Sequence, residues 1–185
     1  TLLASSAASD VYKRQVLKYL SEYFKITLLY FNPNISPKEE YEKRVAEQKR
    51  LIEQMKFKYP VTMLEGRYEP SEFYEAVKGL ENVPEGGERC FICYEMRMRE
   101  AAEYARRTGA DFFTTTLSIS PLKNADKINE IGKKLEAEYG VRHLPSDFKK
   151  KEGYKQSIEL SKEYNLYRQN FCGCVFSKNG DKENV

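Results

Sequence analysis

Four cysteines in two tight pairs are the residues of this 185-residue chain best suited to chemistry. Cys90 and Cys93, in "ERCFICYEMR", form a CxxC pair, which can hold half of a metal centre or work alone as a dithiol. Cys172 and Cys174, in "NFCGCV", are separated by one glycine. Such a pair closes to a disulfide only as a small, strained ring, and strained disulfides are the readily reduced ones, so the pair reads as a reversible dithiol. Gly173 gives that ring backbone freedom. Metal ligation and inert thiols stay open for both pairs.

Other groups are suited to binding. "TTTLSISPLKN" sets Thr114, Thr115, Thr116, Ser118, Ser120 and Lys123 where a strand ends, a place where hydroxyls and a cation can meet a phosphate or sugar, although threonine also simply suits strands. "LYRQNF" puts Tyr167, Arg168 and Phe171 beside the second pair, a mixture able to stack on an unpaired base and contact phosphate, or to pack as ordinary core. Lys149, Lys150 and Lys151 read as a solvated face that Arg106 and Arg107 could extend into a basic patch. The aromatics of "KYLSEYF" recur at helical spacing and read as core. The one histidine, His143, excludes multi-histidine metal sites and mechanisms needing two imidazoles.

The elements that must position these groups alternate. Helices are expected at 16–24, 37–57 (from Ser36 and Pro37, with Val45, Leu51, Ile52 and Met55 on the apolar face), 71–79, from Cys90 to Gly109, at 124–139 and at 153–165. Strands are expected at 25–31, 61–66 and 110–120, with a fourth in "VRHLPSDF". This order indicates an α/β fold with a parallel sheet and flanking helices, Rossmann-like or HUP-type in three layers, whose functional edge is the carboxyl ends of the strands. Both CxxC thiols then sit on a helix's first turn, where the helix dipole favours thiolates. The strand that should precede the helix at 16 is not evident, because "TLLASSAASDVYKRQ" is apolar only in "TLL", so the first strand reads as missing or replaced.

Composition bounds the class. With 41% hydrophobic and 32% charged residues the chain is globular and of one-domain size, and no apolar run approaches the ~20 residues that span a bilayer. Thirty-one basic against 28 acidic residues leave a net charge of +3, so an RNA partner must be met by a local patch. Two tight cysteine pairs without a secretory leader point to a reducing cytoplasm and a protein with no membrane partner.

Four ordered segments, "YFNPNISPKEEYEKR", "KGLENVPEGGERCFICYEMRM", "FFTTTLSISPLKN" and "YRQNFCGC", resemble the QueH family of epoxyqueuosine reductases over about residues 16–178. The resemblance implies an oxidoreductase of tRNA processing that reduces epoxyqueuosine at the wobble position to queuosine, the last step of queuosine biosynthesis, with an electron donor it does not identify. It implies a [4Fe–4S] cluster with Cys90 and Cys93 among its ligands, an additional iron, and a redox-active disulfide between Cys172 and Cys174 as the catalytic pair. The remaining ligands are expected in a "CCxP" segment after the first strand, where this chain has no cysteine.

On this reading residues 1–15 are foreign, 16–178 are the catalytic domain and 179–185 a frayed tail. A chain with two of about four cluster thiols is then expected to be inactive. The substrate-contacting candidates are Thr114, Thr115, Thr116, Ser118, Ser120, Lys123, Tyr167 and Arg168. The alternative is a non-catalytic, zinc-stabilised RNA-binding module using Cys90, Cys93, Cys172 and Cys174 as a four-sulfur site. A nucleotide-dependent tRNA-modifying enzyme of this sheet type would want a glycine-rich loop after the first strand, and the sequence has none.

Overall fold

The computed structural model describes residues 1–6, 10–149 and 172–178. The expected helix at 153–165, together with Lys150, Lys151, Tyr167, Arg168 and Phe171, lies outside these residues. In chain order the elements are β1 (Leu2–Ser5), α1 (Asp10–Leu20), β2 (Ile26–Tyr30), α2 (Lys38–Gln54), β3 (Val61–Glu65), α3 (Pro70–Ala76), α4 (Glu88–Thr108), β4 (Phe112–Thr115), α5 (Ala125–Tyr139), β5 (Arg142–His143) and α6 (Val175–Lys178). The five strands form one sheet in the order β3-β2-β1-β4-β5, and every neighbouring pair is parallel. The expected α/β architecture with a parallel sheet and flanking helices is therefore present.

The strand read as missing is at the centre of the sheet. Leu2–Ser5 pairs with Ile26–Leu29 on one side and with Phe112–Thr115 on the other. A central parallel strand is covered on both faces, so it needs only a short run of apolar residues and shows no alternation. Leu2, Leu3, Ala4 and Ser5 are all buried. Four residues followed by a serine and alanine stretch carry too little pattern to be read as a strand. The boundary expected at residue 15 falls within α1.

Pleating sends alternate side chains of β1 to opposite layers. Leu2 and Ala4 pack with Val16, Leu17 and Leu20 of α1 and with Ile26 and Leu28 of β2. Leu3 packs on the other face with Met98, Ala101 and Ala102 of α4 and Ile128 and Leu135 of α5. The alanines of α4 let that helix lie close to the sheet. In a parallel sheet the crossover helices run against the strands, so the amino ends of α4 and α5 lie at the carboxyl edge. Gly109, in the left-handed region at φ 66°, ends α4, and the side chain of Asn124 accepts a 3.0 Å hydrogen bond from the Lys127 amide to start α5.

Two local expectations need correction. The strand expected over 110–120 stops at Thr115, and a 3₁₀ turn, Leu117–Ile119, follows because the chain must bend across the end of β1, where the Thr116 amide donates to the Ser5 carbonyl. In "KYLSEYF", Tyr19 and Tyr23 are 56% and 65% exposed and contact each other edge to face, so they are surface residues rather than core. Tyr23 lies past the end of α1, where helical spacing no longer decides which side faces inward.

β5 is held through His143, which is buried against Phe113 and directly beneath Gly132 of α5. A β-carbon on Gly132 would fall 2.3 Å from the imidazole Cε1. Gly132→Ala should destabilise the fold by about 1–3 kcal/mol in denaturant unfolding. Burial lowers the His143 pKa from its ordinary 6.5 to about 4, with Glu136 acting weakly the other way. The unfolded chain therefore binds this proton more readily than the folded one between those values. The His143 contribution to stability is complete above pH 6.5 and is lost as pH falls to about 4. A His143→Gln variant should show a shallower loss of stability than the unaltered chain across that window, measured by unfolding at each pH.

Candidate functional site

All four cysteines come together at the carboxyl edge of the sheet. Cys90, Cys93, Cys172 and Cys174 line one cavity of about 20 Å³, with Asn34, Phe73, Arg89, Tyr94, Arg97 and Lys123 completing the wall. This is the region where strand order reverses, with β1 and β4 as neighbours whose following connections run in opposite directions, the position at which open parallel sheets bind ligands. All four thiols are free.

The loop before α4 and the helix start place the first pair. Gly87 is the residue before the helix, and the Gly86 amide donates to Cys90 Sγ over 3.3 Å. Arg89, buried, donates to the carbonyls of Leu80 and Glu81 at 3.3 and 2.8 Å and also to that of Val83, which folds the "LENVPEGG" loop onto the helix. Its guanidinium also lies 5.1 Å from the Phe176 ring centre, tying α6 to the same loop. One helical turn beyond Cys93, buried Arg97 donates to the Ser6 carbonyl at the end of β1.

Lys123 meets the second pair from the cavity wall. It is 8% exposed, donates to Glu85 at 2.8 Å, and reaches Cys172 Sγ at 3.6 Å. Burial alone would lower its pKa, but Cys172, Tyr94 and Glu85 together carry it above the ordinary lysine value, so it stays an ammonium. Burial pushes Cys93 up to about 12, against the pull of Arg97, and it raises Cys174 as well. These two thiols are therefore protonated near neutrality. Asn34 adds a buried amide whose nitrogen and oxygen have no hydrogen-bond partner among the described residues, the condition of a group that a ligand would satisfy.

The hydroxyls expected to meet substrate are mostly engaged inside the protein. Thr114 donates to the Leu144 carbonyl at 2.9 Å, Thr115 and Thr116 reach the Ser5 carbonyl at 3.3 and 3.5 Å, and the Ser118 and Ser146 hydroxyls pair at 2.9 Å. They brace β4 and the turn after it. Ser120 is half-buried, and of this group only Lys123 lines the thiol cavity. Lys149 donates to the Lys123 carbonyl at 2.9 Å and so is not a freely solvated lysine. Arg106 and Arg107 occupy the last turn of α4, about 25 Å along the helix from Cys90, too far to extend a patch there.

Sequence reasoning missed Arg44, Arg97, Glu85 and Asn34. Arg44 and Arg97 had a readable signal, since each interrupts an apolar stripe: Tyr41, Val45 and Leu51 in α2, and Tyr94, Met98 and Ala101 in α4. Glu85 and Asn34 sit in turns that carry no such period.

Among the described residues, no three histidine, cysteine, aspartate or glutamate side chains are grouped so as to hold a metal ion. The cavity has room for about one water. The described residues therefore do not by themselves complete a [4Fe–4S] ligand set or a four-sulfur zinc site. Cys90 and Cys93 remain two thiols on one helix turn, and the end of β1, where further cysteines were expected, presents Ser5 and Ser6.

Residues 3–180 match the family model described as epoxyqueuosine reductase QueH. The chain belongs to the epoxyqueuosine reductase QueH family. It is 41% identical over 163 residues to the epoxyqueuosine reductase QueH of Streptococcus pyogenes serotype M1, covering 87% of this chain and 64% of that protein. It is 43% identical over 165 residues to that of Staphylococcus epidermidis, covering 87% and 69%. To the QueH of Thermotoga maritima it is 39% identical over 151 residues, covering 80% and 77%. The QueH match begins at residue 3, inside the segment expected to be foreign, and neither the fold nor these likenesses supports the expectation of inactivity. Among the described residues no helix is long and apolar enough to cross a membrane.

The site makes a prediction about thiol reactivity. In the folded, reduced protein at pH 8, iodoacetamide should modify Cys172 well before Cys93 and Cys174, whose thiols burial keeps protonated. Equal rates at Cys93 and Cys172, resolved by peptide mass spectrometry, would contradict this placement.

Proposed function

We propose that the protein is an epoxyqueuosine reductase that converts epoxyqueuosine in tRNA to queuosine. The observation that carries the reading is the convergence of two cysteine pairs, some 80 residues apart in sequence, on one cavity at the carboxyl edge of the sheet, with a buried ammonium against Cys172. Family membership supplies the substrate class. Loss of the epoxide oxygen as water, leaving an alkene, takes two electrons and two protons. Closing Cys172 and Cys174 to a disulfide yields two of each, so one oxidation of the pair balances one reduction. A separate electron donor, still to be identified, must then reopen the disulfide.

The chain's own residues have defined parts in this scheme. Lys123 holds Cys172 Sγ and carries a proton beside it. Asn34 offers a donor and an acceptor to a polar group of the modified ring once the cavity opens. Cys90 and Cys93 are the two thiols that an iron–sulfur centre would use. The described residues do not complete that ligand set, so no step here runs through it. Tyr167, Arg168, the [4Fe–4S] cluster, the additional iron and a cytoplasmic location belong to the same proposal.

The test is anaerobic incubation of the chain with tRNA bearing epoxyqueuosine and dithionite, with nucleosides quantified by mass spectrometry and iron, sulfide and zinc assayed in parallel. Queuosine formation is expected, and Cys172→Ser with Cys174→Ser should lower multiple turnover at least about tenfold while leaving tRNA affinity unchanged. Unaltered epoxyqueuosine, together with one zinc per chain and no sulfide, would replace this reading with the RNA-binding module.

A further inference from the structure

The segment that carries the second cysteine pair is held by an element far from it in sequence. Arg44, on α2, is fully buried. Its Nε donates to Glu40 Oε1 at 2.7 Å, an ion pair that fixes the guanidinium plane, and its Nη1 donates to the Cys172 carbonyl at 3.1 Å. The next carbonyl in the segment, that of Gly173, accepts from the Ser36 amide at 3.0 Å, just ahead of the same helix. Gly173 has φ +95°, and a β-carbon there would lie 2.9 Å from Arg44 Nη1 and 3.1 Å from Ile35 Cγ1. The backbone of the CxC is thus pressed against Arg44 and Ile35, while Lys123 Nζ lies 3.6 Å from the Cys172 sulfur.

We infer that Arg44, oriented by Glu40, is a positioning residue that sets the thiol–disulfide equilibrium of Cys172 and Cys174. The contacts are those of the dithiol, since both thiols are free in this arrangement. A disulfide across a single residue forces the two side chains toward each other and requires the intervening backbone to adjust. A backbone whose two successive carbonyls are bonded to α2 and to the turn before it resists that adjustment. The clamp therefore stabilises the dithiol relative to the disulfide and makes the pair the stronger oxidant, as expected wherever a reduced form is held preferentially. The inference rests on the redox reading of this pair, and the experiment separates the two.

The chain is equilibrated anaerobically in glutathione buffers of graded composition, so that two electrons and two protons pass from the dithiol to glutathione disulfide to give two glutathione molecules. Samples are acid-quenched and alkylated, and the peptide containing Cys172 and Cys174 is quantified by mass. Arg44→Met should shift the equilibrium constant about tenfold toward the protein disulfide, about 30 mV for a two-electron couple. Glu40→Gln should shift it the same way by a smaller factor, and it carries the test if Arg44→Met does not fold by circular dichroism. A shift of about threefold or more toward the disulfide in a folded variant supports the clamp. A smaller shift, or one toward the dithiol, overturns it, because a merely structural Arg44 would lower the melting temperature and leave the equilibrium in place. If the unaltered chain shows no two-electron transition at this peptide, the redox reading fails and the clamp's role falls with it.

Discussion

A parallel sheet with its centre strand hydrogen-bonded on both sides leaves that strand no edge and no solvent-facing side, and everything at the thiol site is measured from its end. β1 is only four residues long, yet its backbone pairs with β2 and β4, and its last carbonyls organise the groups beyond it. The Ser5 carbonyl receives the Thr116 amide and the hydroxyls of Thr115 and Thr116, and the Ser6 carbonyl receives Arg97. A buried carbonyl needs a partner, so the chain after β4 and the first turns of α4 are drawn to the same point. The crevice between two oppositely directed connections is the result, and the cysteines occupy it.

Charge arrangement in that crevice follows from burial. Arg44, Arg89, Arg97 and Lys123 are all nearly inaccessible to solvent. Cations so placed require acceptors or anions within reach. Backbone carbonyls serve Arg89 and Arg97, carboxylates serve Arg44 and Lys123, and sulfur is the further partner of Lys123. The same burial that makes these cations demanding keeps Cys93 and Cys174 protonated. Cys172 is the thiol that meets the Lys123 ammonium. One environment thus distinguishes four chemically identical side chains.

The long reach of Arg44 shows how a small loop can be held for chemistry without belonging to a regular element. Cys172 and Gly173 are in neither helix nor strand. Their carbonyls find donors on α2 and in the turn preceding it, and Arg89 reaches the adjoining α6 through the Phe176 ring. The loop is therefore defined by the two layers it bridges.

Much of this was legible from the chain alone. Alternating apolar runs, the Ser36 and Pro37 start and the Gly109 stop indicated the helices and the parallel sheet, because periodicity and helix end signals are local properties. The spacing of Cys90 with Cys93 and of Cys172 with Cys174 singled out the reactive groups, and four ordered segments carried the family. What the chain could not show was decided by contacts between distant residues. Leu2–Ser5 becomes a strand only because β2 and β4 lie beside it. The hydroxyls of Thr114, Thr115, Thr116 and Ser118 turn inward because carbonyls and a serine from other elements wait there. Lys123, read as a cation for a phosphate or sugar, is buried against Cys172 and Glu85, and Arg44 meets a cysteine 128 positions away. Local sequence specifies which side chains an element offers, but a hydrogen bond or a buried charge needs a second partner, and only the folded arrangement of the sheet supplies it.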